Sequence, residues 1–194
     1  MNGFLLQADR FERGLCLRIN GLSRFAILTQ LFRVVSRLGD GVLWYSVLAI
    51  LALLGGWAGV RGMLHIGITS LVGVALYKFL KNRLVRQRPF VSHGQIVCRT
   101  APLDQYSFPS GHTLHAVLFT VMFSAYVPAL LPWLAGFAVL VAFSRVILGL
   151  HYPSDVVVGA SLGALLAWMS LMVVEFDTLT LATSFAGWID IWRV

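Results

Sequence analysis

Five apolar runs, Val42–Val60, Met63–Leu80, Ser110–Ala125, Trp133–Leu148 and Val156–Val174, follow one another with only one long polar stretch among them. No other feature constrains the chain as much. Each run is close to the length at which an α-helix crosses the hydrocarbon of a bilayer. Inside a bilayer only helices and closed barrels satisfy their own backbone groups. Charged residues are 12% of the chain and hydrophobic ones 58%, with a mean hydropathy of +0.82; a soluble domain carries about 25% charged residues. The expected fold is all-α: a polytopic transmembrane bundle of five full spans, or six if a further segment crosses. Gly55 with Gly59, and Gly159 with Gly163, form small-xxx-small pairs that let helices approach closely.

Ahead of the first run the pattern changes. Residues 4–20 mix Leu5, Phe11, Leu15 and Leu17 with Asp9, Arg10, Glu12, Arg13 and Arg18, which suits a helix lying on a membrane surface. Asn20-Gly21 breaks it. Residues 22–38 are apolar but carry Arg24, Gln30, Arg33 and Arg37, and an arginine at the centre of a lipid-exposed span costs about 3 kcal/mol. They read as a second interfacial or half-buried helix, ended by Gly39-Asp40-Gly41. The chain therefore divides into amphipathic N-terminal helices over 1–39, a membrane domain over 40–175 and an amphipathic tail over 176–194, where Trp188 and Trp192 suit an interface. No basic n-region followed by an apolar h-region precedes these helices, so no cleavable signal is expected.

The net charge of +7 fits an anionic substrate, anionic lipid or the positive-inside rule. Nucleic acid is not an expected partner, because the basic residues flank apolar spans and form no separate module. Cys16 and Cys98 lack zinc spacing and read as two unpaired thiols. The polar stretch from Lys81 to Phe108 follows the second run, and the short junction His151–Asp155 follows the fourth. Counting crossings puts both on one membrane face. The other face has only Arg61, in a turn with Gly62, and a proline turn at Pro128 and Pro132.

Three groups on that polar face can carry chemistry. Lys81 and Arg88 stand seven residues apart, about two helical turns; lysine offers a point charge and arginine a planar fork for phosphate oxygens. Taken alone they equally read as charges snorkelling at a span end, as do Arg83 and Arg86. Pro109-Ser110-Gly111-His112 opens a helix, with Ser110 as cap and Gly111 letting amides approach an anion beside an imidazole. By itself it could be a plain cap with a buried histidine. Arg145 interrupts the fourth run, where a charge is expensive and points to function. His151 follows, and Asp155 four residues later can fix its tautomer and leave the other nitrogen as nucleophile or base. His115 with His112, His151 and Asp155 could suggest a metal, but the surrounding cations disfavour one. His65 and His93 read as structural or surface histidines.

Together, Lys81-x6-Arg88-Pro89, Pro109-Ser110-Gly111-His112 and Ser144-Arg145-x5-His151-x3-Asp155 resemble the three-part signature of the type 2 phosphatidic acid phosphatase (PAP2) superfamily, in order and spacing. The resemblance covers about residues 40–175 and is strongest to short bacterial lipid phosphatases. It implies an enzyme that removes phosphate from a lipid phosphate or diphosphate without metal or other cofactor. It implies that His151 is the nucleophile that forms a phosphohistidine, that Asp155 orients it, and that His112 is the general acid. Lys81, Arg88, Arg145, Ser110 and the Gly111 amide would bind the phosphoryl oxygens.

Undecaprenyl or another prenyl diphosphate is the first expected substrate, with phosphatidylglycerophosphate and phosphatidate next. Alternatives are a lipid phosphotransferase of the same family and a non-catalytic membrane protein that binds anionic lipid. Membrane lipids are the only other expected partners; no obligate protein partner is evident. The resemblance implies a bacterial inner membrane with the active face toward the periplasm. Five spans alone would put the N-terminal arginines on the active face and, by the positive-inside rule, that face in the cytoplasm. A sixth span over 22–38 would reverse this.

Overall fold

The computed structural model describes residues 3–174; the tail expected over 176–194 lies outside the described residues. The chain is helical, with no strand among the described residues: α1 (Gly3–Asn20), α2 (Ala26–Arg37), α3 (Leu43–Leu54), α4 (Gly56–Leu84), the short α5 (Pro89–Ser92), α6 (Gly111–Tyr126), α7 (Leu131–Ile147) and α8 (Pro153–Val173). Four helical stretches among the described residues are long and apolar enough to cross a bilayer, namely Ala26–Leu54, Gly56–Ser92, Pro128–Ile147 and Pro153–Val173.

The helix α6, with 16 residues, falls short of those four. It stands in the middle of the bundle and packs against α4, α7 and α8. Leu114, Leu118, Phe119, Met122, Phe123 and Tyr126 are all buried on it, and Trp44 of α3 stacks on Phe119 at 5.2 Å. Against α8 the approach is backbone to backbone: a side chain at Gly159 would strike the Ser110 carbonyl, and one at Gly163 the Leu114 carbonyl. The second small-residue pair thus seats the helix that carries His112 against the helix that carries Asp155. On the outside, Ile27, Leu53, Ile68, Leu71, Phe143, Val157 and Met172 are exposed, as a lipid-facing belt requires.

One sequence expectation needs correction. The first turn lies at Gly55–Gly56, not at Arg61-Gly62, and Arg61 sits inside α4. Gly56 has φ of 55° there, and Gly55 approaches Gly59 so closely that the pair serves the hinge between α3 and α4. Gly39-Asp40-Gly41 ends α2 as expected: a wide turn over Leu38–Val42, with a kink at Gly41 (φ 138°), separates α2 from α3. The indole of Trp44 donates to the Gly39 carbonyl at 3.1 Å and braces that kink. The helix α1 packs on α7 and α8 with Cys16 wholly buried.

Candidate active site

The polar ends of α4, α6, α7 and α8 meet at one end of the bundle around a cavity of about 250 Å³. Asp40, Lys81, Arg88, His112, Arg145 and His151 line it. Residues spread over more than a hundred positions are thus brought together, as crossing parity requires. The details differ from simple helical spacing. The helix α4 stops at Leu84 with Val85 left-handed (φ 43°), and Arg88 is extended ahead of Pro89. Lys81 and Arg88 therefore converge through this bend, not through two turns of one helix.

What they converge on is Asp104. Lys81 Nζ lies 2.7 and 2.6 Å from its two carboxylate oxygens, and Arg88 Nη2 lies 2.7 Å from Oδ1. The lysine also donates to the Tyr106 carbonyl at 3.2 Å, and Arg88 Nε to the Asp104 carbonyl at 3.1 Å. Both cations are buried, whereas the Asp104 side chain is 37% exposed. Burial alone would raise the Asp104 carboxyl, but the contacts with Lys81 and Arg88 outweigh it and hold it below the usual carboxylate range. A carboxylate thus sits where two cations could grip a phosphoryl group.

His151 lies between α7 and α8, essentially without exposure. Its Nε2 is 3.4 Å from Arg88 Nη1 and its Nδ1 is 3.5 Å from Asp155 Oδ2. A guanidinium can only donate, so Nε2 carries the lone pair and Nδ1 the proton. The Nδ1 distance is long for a formed hydrogen bond, and Nδ1 has no other partner among the described residues. Burial first, and then the charges of Arg145, Arg88, Lys81 and His112, push the His151 pKa well below the ordinary histidine value. The ring is neutral at pH 7.

Asp155 is completely buried and doubly held. Its Oδ2 accepts from the Tyr152 amide at 2.8 Å and its Oδ1 from Arg86 Nη1 at 2.7 Å. Arg86 reaches further, to Ser154 Oγ at 2.7 Å and to Glu12 Oε2 at 2.7 Å, while Glu12 Oε1 accepts from the Ser154 amide at 2.8 Å. Arg86 is therefore a bridge and not a charge snorkelling at a span end. Next along α1, the Cys16 thiol faces the His151 carbonyl at 3.7 Å, and burial pushes its pKa up to about 12. Asn20 closes the row, donating to the Ile147 and Val97 carbonyls and accepting from the Val97 amide. Glu12, Cys16 and Asn20 recur every four residues, one stripe of α1 laid over the junction.

His112 Nε2 is 3.0 Å from Asp40 Oδ1 at the α2–α3 kink. Arg145 is buried, its Nη1 bonded to Ser36 Oγ and its Nε without a partner among the described residues. Gly111 lines the cavity. Ser110 does not: its hydroxyl is spent on Thr113 (Oγ to Oγ1, 3.0 Å) beneath the first turn of α6. His115 also lines the cavity, but both of its ring nitrogens face carbonyls, Nδ1 that of Gly111 at 2.9 Å and Nε2 that of Ser70 at 3.2 Å. Among the described residues no group of three His, Cys, Asp or Glu side chains is placed to hold a metal ion. Glu12, Asp40, Arg86 and Asp104 are the polar residues that the sequence reading did not single out. The four-residue stripe on α1 was the one signal that could have found Glu12.

Residues 62–178 match the PAP2 superfamily. The chain is 30% identical over 163 residues to an undecaprenyl-diphosphatase from Sulfolobus acidocaldarius, covering 80% of this chain and 74% of that protein. It is 33% identical over 135 residues to a decaprenylphosphoryl-5-phosphoribose phosphatase from Mycobacterium tuberculosis, covering 68% and 72%. A transmembrane PAP2-type phosphatidylglycerolphosphate phosphatase of known structure from Bacillus subtilis superposes with a TM-score of 0.64 at 25% identity, over 87% of this chain and 85% of the other.

Proposed function

The chain belongs to the PAP2 superfamily of membrane lipid phosphatases, and from that premise we propose that it removes the terminal phosphate of a prenyl diphosphate through a phosphohistidine at His151. The observation that carries this is the placement of His151: a neutral ring with its free lone pair on the cation side and its other nitrogen toward a buried carboxylate. The substrate phosphate displaces Asp104 from Lys81 and Arg88, and Arg145 and the Gly111 amide complete the grip. His151 Nε2 attacks phosphorus as the bond to the leaving oxygen breaks. Acting in its protonated form beside Asp40, His112 gives its proton to that oxygen. Water then attacks the phosphohistidine, His112 recovers a proton from it, and the P–N bond breaks to release phosphate. The cations oppose the charge that spreads over the phosphoryl oxygens in both steps.

We further propose five crossings, with α6 as the fifth beside the four longer stretches. The arginines of α1 then share the active face. The positive-inside rule read alone would send that face to the cytoplasm, but many of its cations are engaged: Arg86 with Glu12 and Asp155, Arg88 with Asp104, and Arg99 with Ser23. Discounting them, we place the face in the periplasm of an inner membrane. Cys98 is half-buried on this end and Cys16 fully buried, so an impermeant thiol reagent on intact cells should label only Cys98; labelling only after the membrane is opened contradicts the placement.

A phosphate-release screen of purified protein over prenyl diphosphates, phosphatidylglycerophosphate and phosphatidate tests the reading. Prenyl diphosphate should give the highest kcat/KM, and His151→Ala should abolish release while the protein stays folded. Normal turnover by His151→Ala refutes it.

A further inference from the structure

A second cavity, about 680 Å³, adjoins the first and shares Asp40, Leu103, His112 and Arg145 with it. Its outer wall is α2. Arg33, Arg37 and Gln30 line it beside the apolar Val34, Leu38 and Val42. Arg33 spends one N–H on the Arg99 carbonyl at 2.7 Å, and among the described residues neither arginine is paired with a carboxylate. Asp40 is the only acid in this lining, and it is turned to His112. The cavity is therefore cationic at one side and greasy at the other, with His112 on its boundary.

In-line displacement puts the leaving oxygen opposite the attacking nitrogen. With His151 attacking and His112 protonating, whatever is attached to that oxygen passes into the second cavity. From this juxtaposition we propose that Arg33 and Arg37 form a subsite for a phosphate carried by the leaving group. The substrate is then a lipid diphosphate, its non-reacting phosphate on these two arginines and the start of its chain along Val34, Leu38 and Val42. A monoester such as phosphatidate leaves as a neutral alcohol and gives the arginines nothing to bind. This rests on the phosphatase reading above and adds to it residues outside the three-part signature.

The test is steady-state phosphate release by the full chain in detergent, on a prenyl diphosphate and on phosphatidate, for the natural protein and Arg33→Ala/Arg37→Ala. Each lost charged hydrogen bond is expected to cost about tenfold, so the ratio of kcat/KM for diphosphate over phosphatidate should fall tenfold or more. Arg33→Lys/Arg37→Lys should recover most of it. Inhibition by prenyl monophosphate, the leaving group itself, should weaken to a similar degree; this can be read on phosphatidate even where the diphosphate rate is too low. An unchanged ratio with unchanged inhibition overturns the subsite, as does natural protein that turns over phosphatidate but not diphosphate. Absence of phosphate release from every substrate overturns instead the phosphatase reading on which it stands. If the double alanine variant does not fold, the single variants and the lysine pair give the same two readouts.

Discussion

The two nitrogens of His151 look onto unlike surroundings. In front of Nε2 stand Lys81, Arg88 and Arg145, with a half-exposed carboxylate, Asp104, answering two of them from a polar loop. Behind Nδ1 stands Asp155, buried completely and fixed by two donors, the Tyr152 amide at the head of its own helix and Arg86 beyond α4, with α1 bracing the arginine through Glu12. Each side pairs an aspartate with cations at about the same distances, yet they serve different ends. An ion pair with one exposed member exchanges partners cheaply, because water and salt already compete for it. A buried pair costs several kcal/mol to leave half-made. On the proposed reading an incoming phosphate empties the front, whereas the buried back holds its position.

The comparison breaks most plainly at Asp155. Asp155→Asn should lower kcat roughly 10²- to 10⁴-fold, because the ring loses both its tautomer partner and the charge that stabilises it in attack; a loss under threefold in phosphate release would mean that the back is scaffolding only. Arg86→Gln, which lets Asp155 shift, should cost about 10²-fold in kcat with little change in KM, as misplacement of a catalytic group by about 1 Å does. Glu12→Gln keeps the shape but weakens the brace, and a loss of about tenfold in kcat, again at constant KM, is expected. A rise in KM instead would move Glu12 to the substrate side.

The front should respond in the opposite sense. Asp104→Asn removes the internal competitor for Lys81 and Arg88, so KM and the inhibition constant of inorganic phosphate should fall about three- to tenfold. Higher values of both would make Asp104 part of the binding surface. The smallest effect is on stability. The folded pKa of His151 lies below that of the unfolded chain, so below about pH 6.5 the unfolded state takes up a proton that the folded state refuses. Stability is thus fully present above that pH and declines as pH falls through it. Melting temperatures of the natural protein should drop faster between pH 7 and 5 than those of His151→Ala; parallel curves would show that His151 ionises freely.

The parts of this arrangement that could be read from the chain are those that local spacing and crossing parity determine. Lys81, Arg88, His112, Arg145, His151 and Asp155 lie at the ends of apolar runs, and counting runs brings those ends to one face. The braces are different. Glu12 meets Arg86 across 74 positions and Asn20 meets Ile147 across 127, and no periodicity links such pairs; only packing of α1 on α7 and α8 brings them together. Gly39-Asp40-Gly41 was legible as a helix end but not as part of the site. Two glycines around an aspartate signal the break between α2 and α3, but that Asp40 is turned to His112 depends on how the kink packs against α6. The turn between the first two long helices was misplaced because Arg61 is a stronger local mark than a glycine hinge.

The central claim is that the lone pair on His151 Nε2 forms a bond to phosphorus. Rapid-quench reaction of the purified protein with a substrate labelled in its terminal phosphate tests it most directly. The account predicts label on the protein that survives alkali, is lost in acid, maps to His151 and is absent from His151→Ala. Label of the same amount on His151→Ala, or mapped to any other residue, would contradict it.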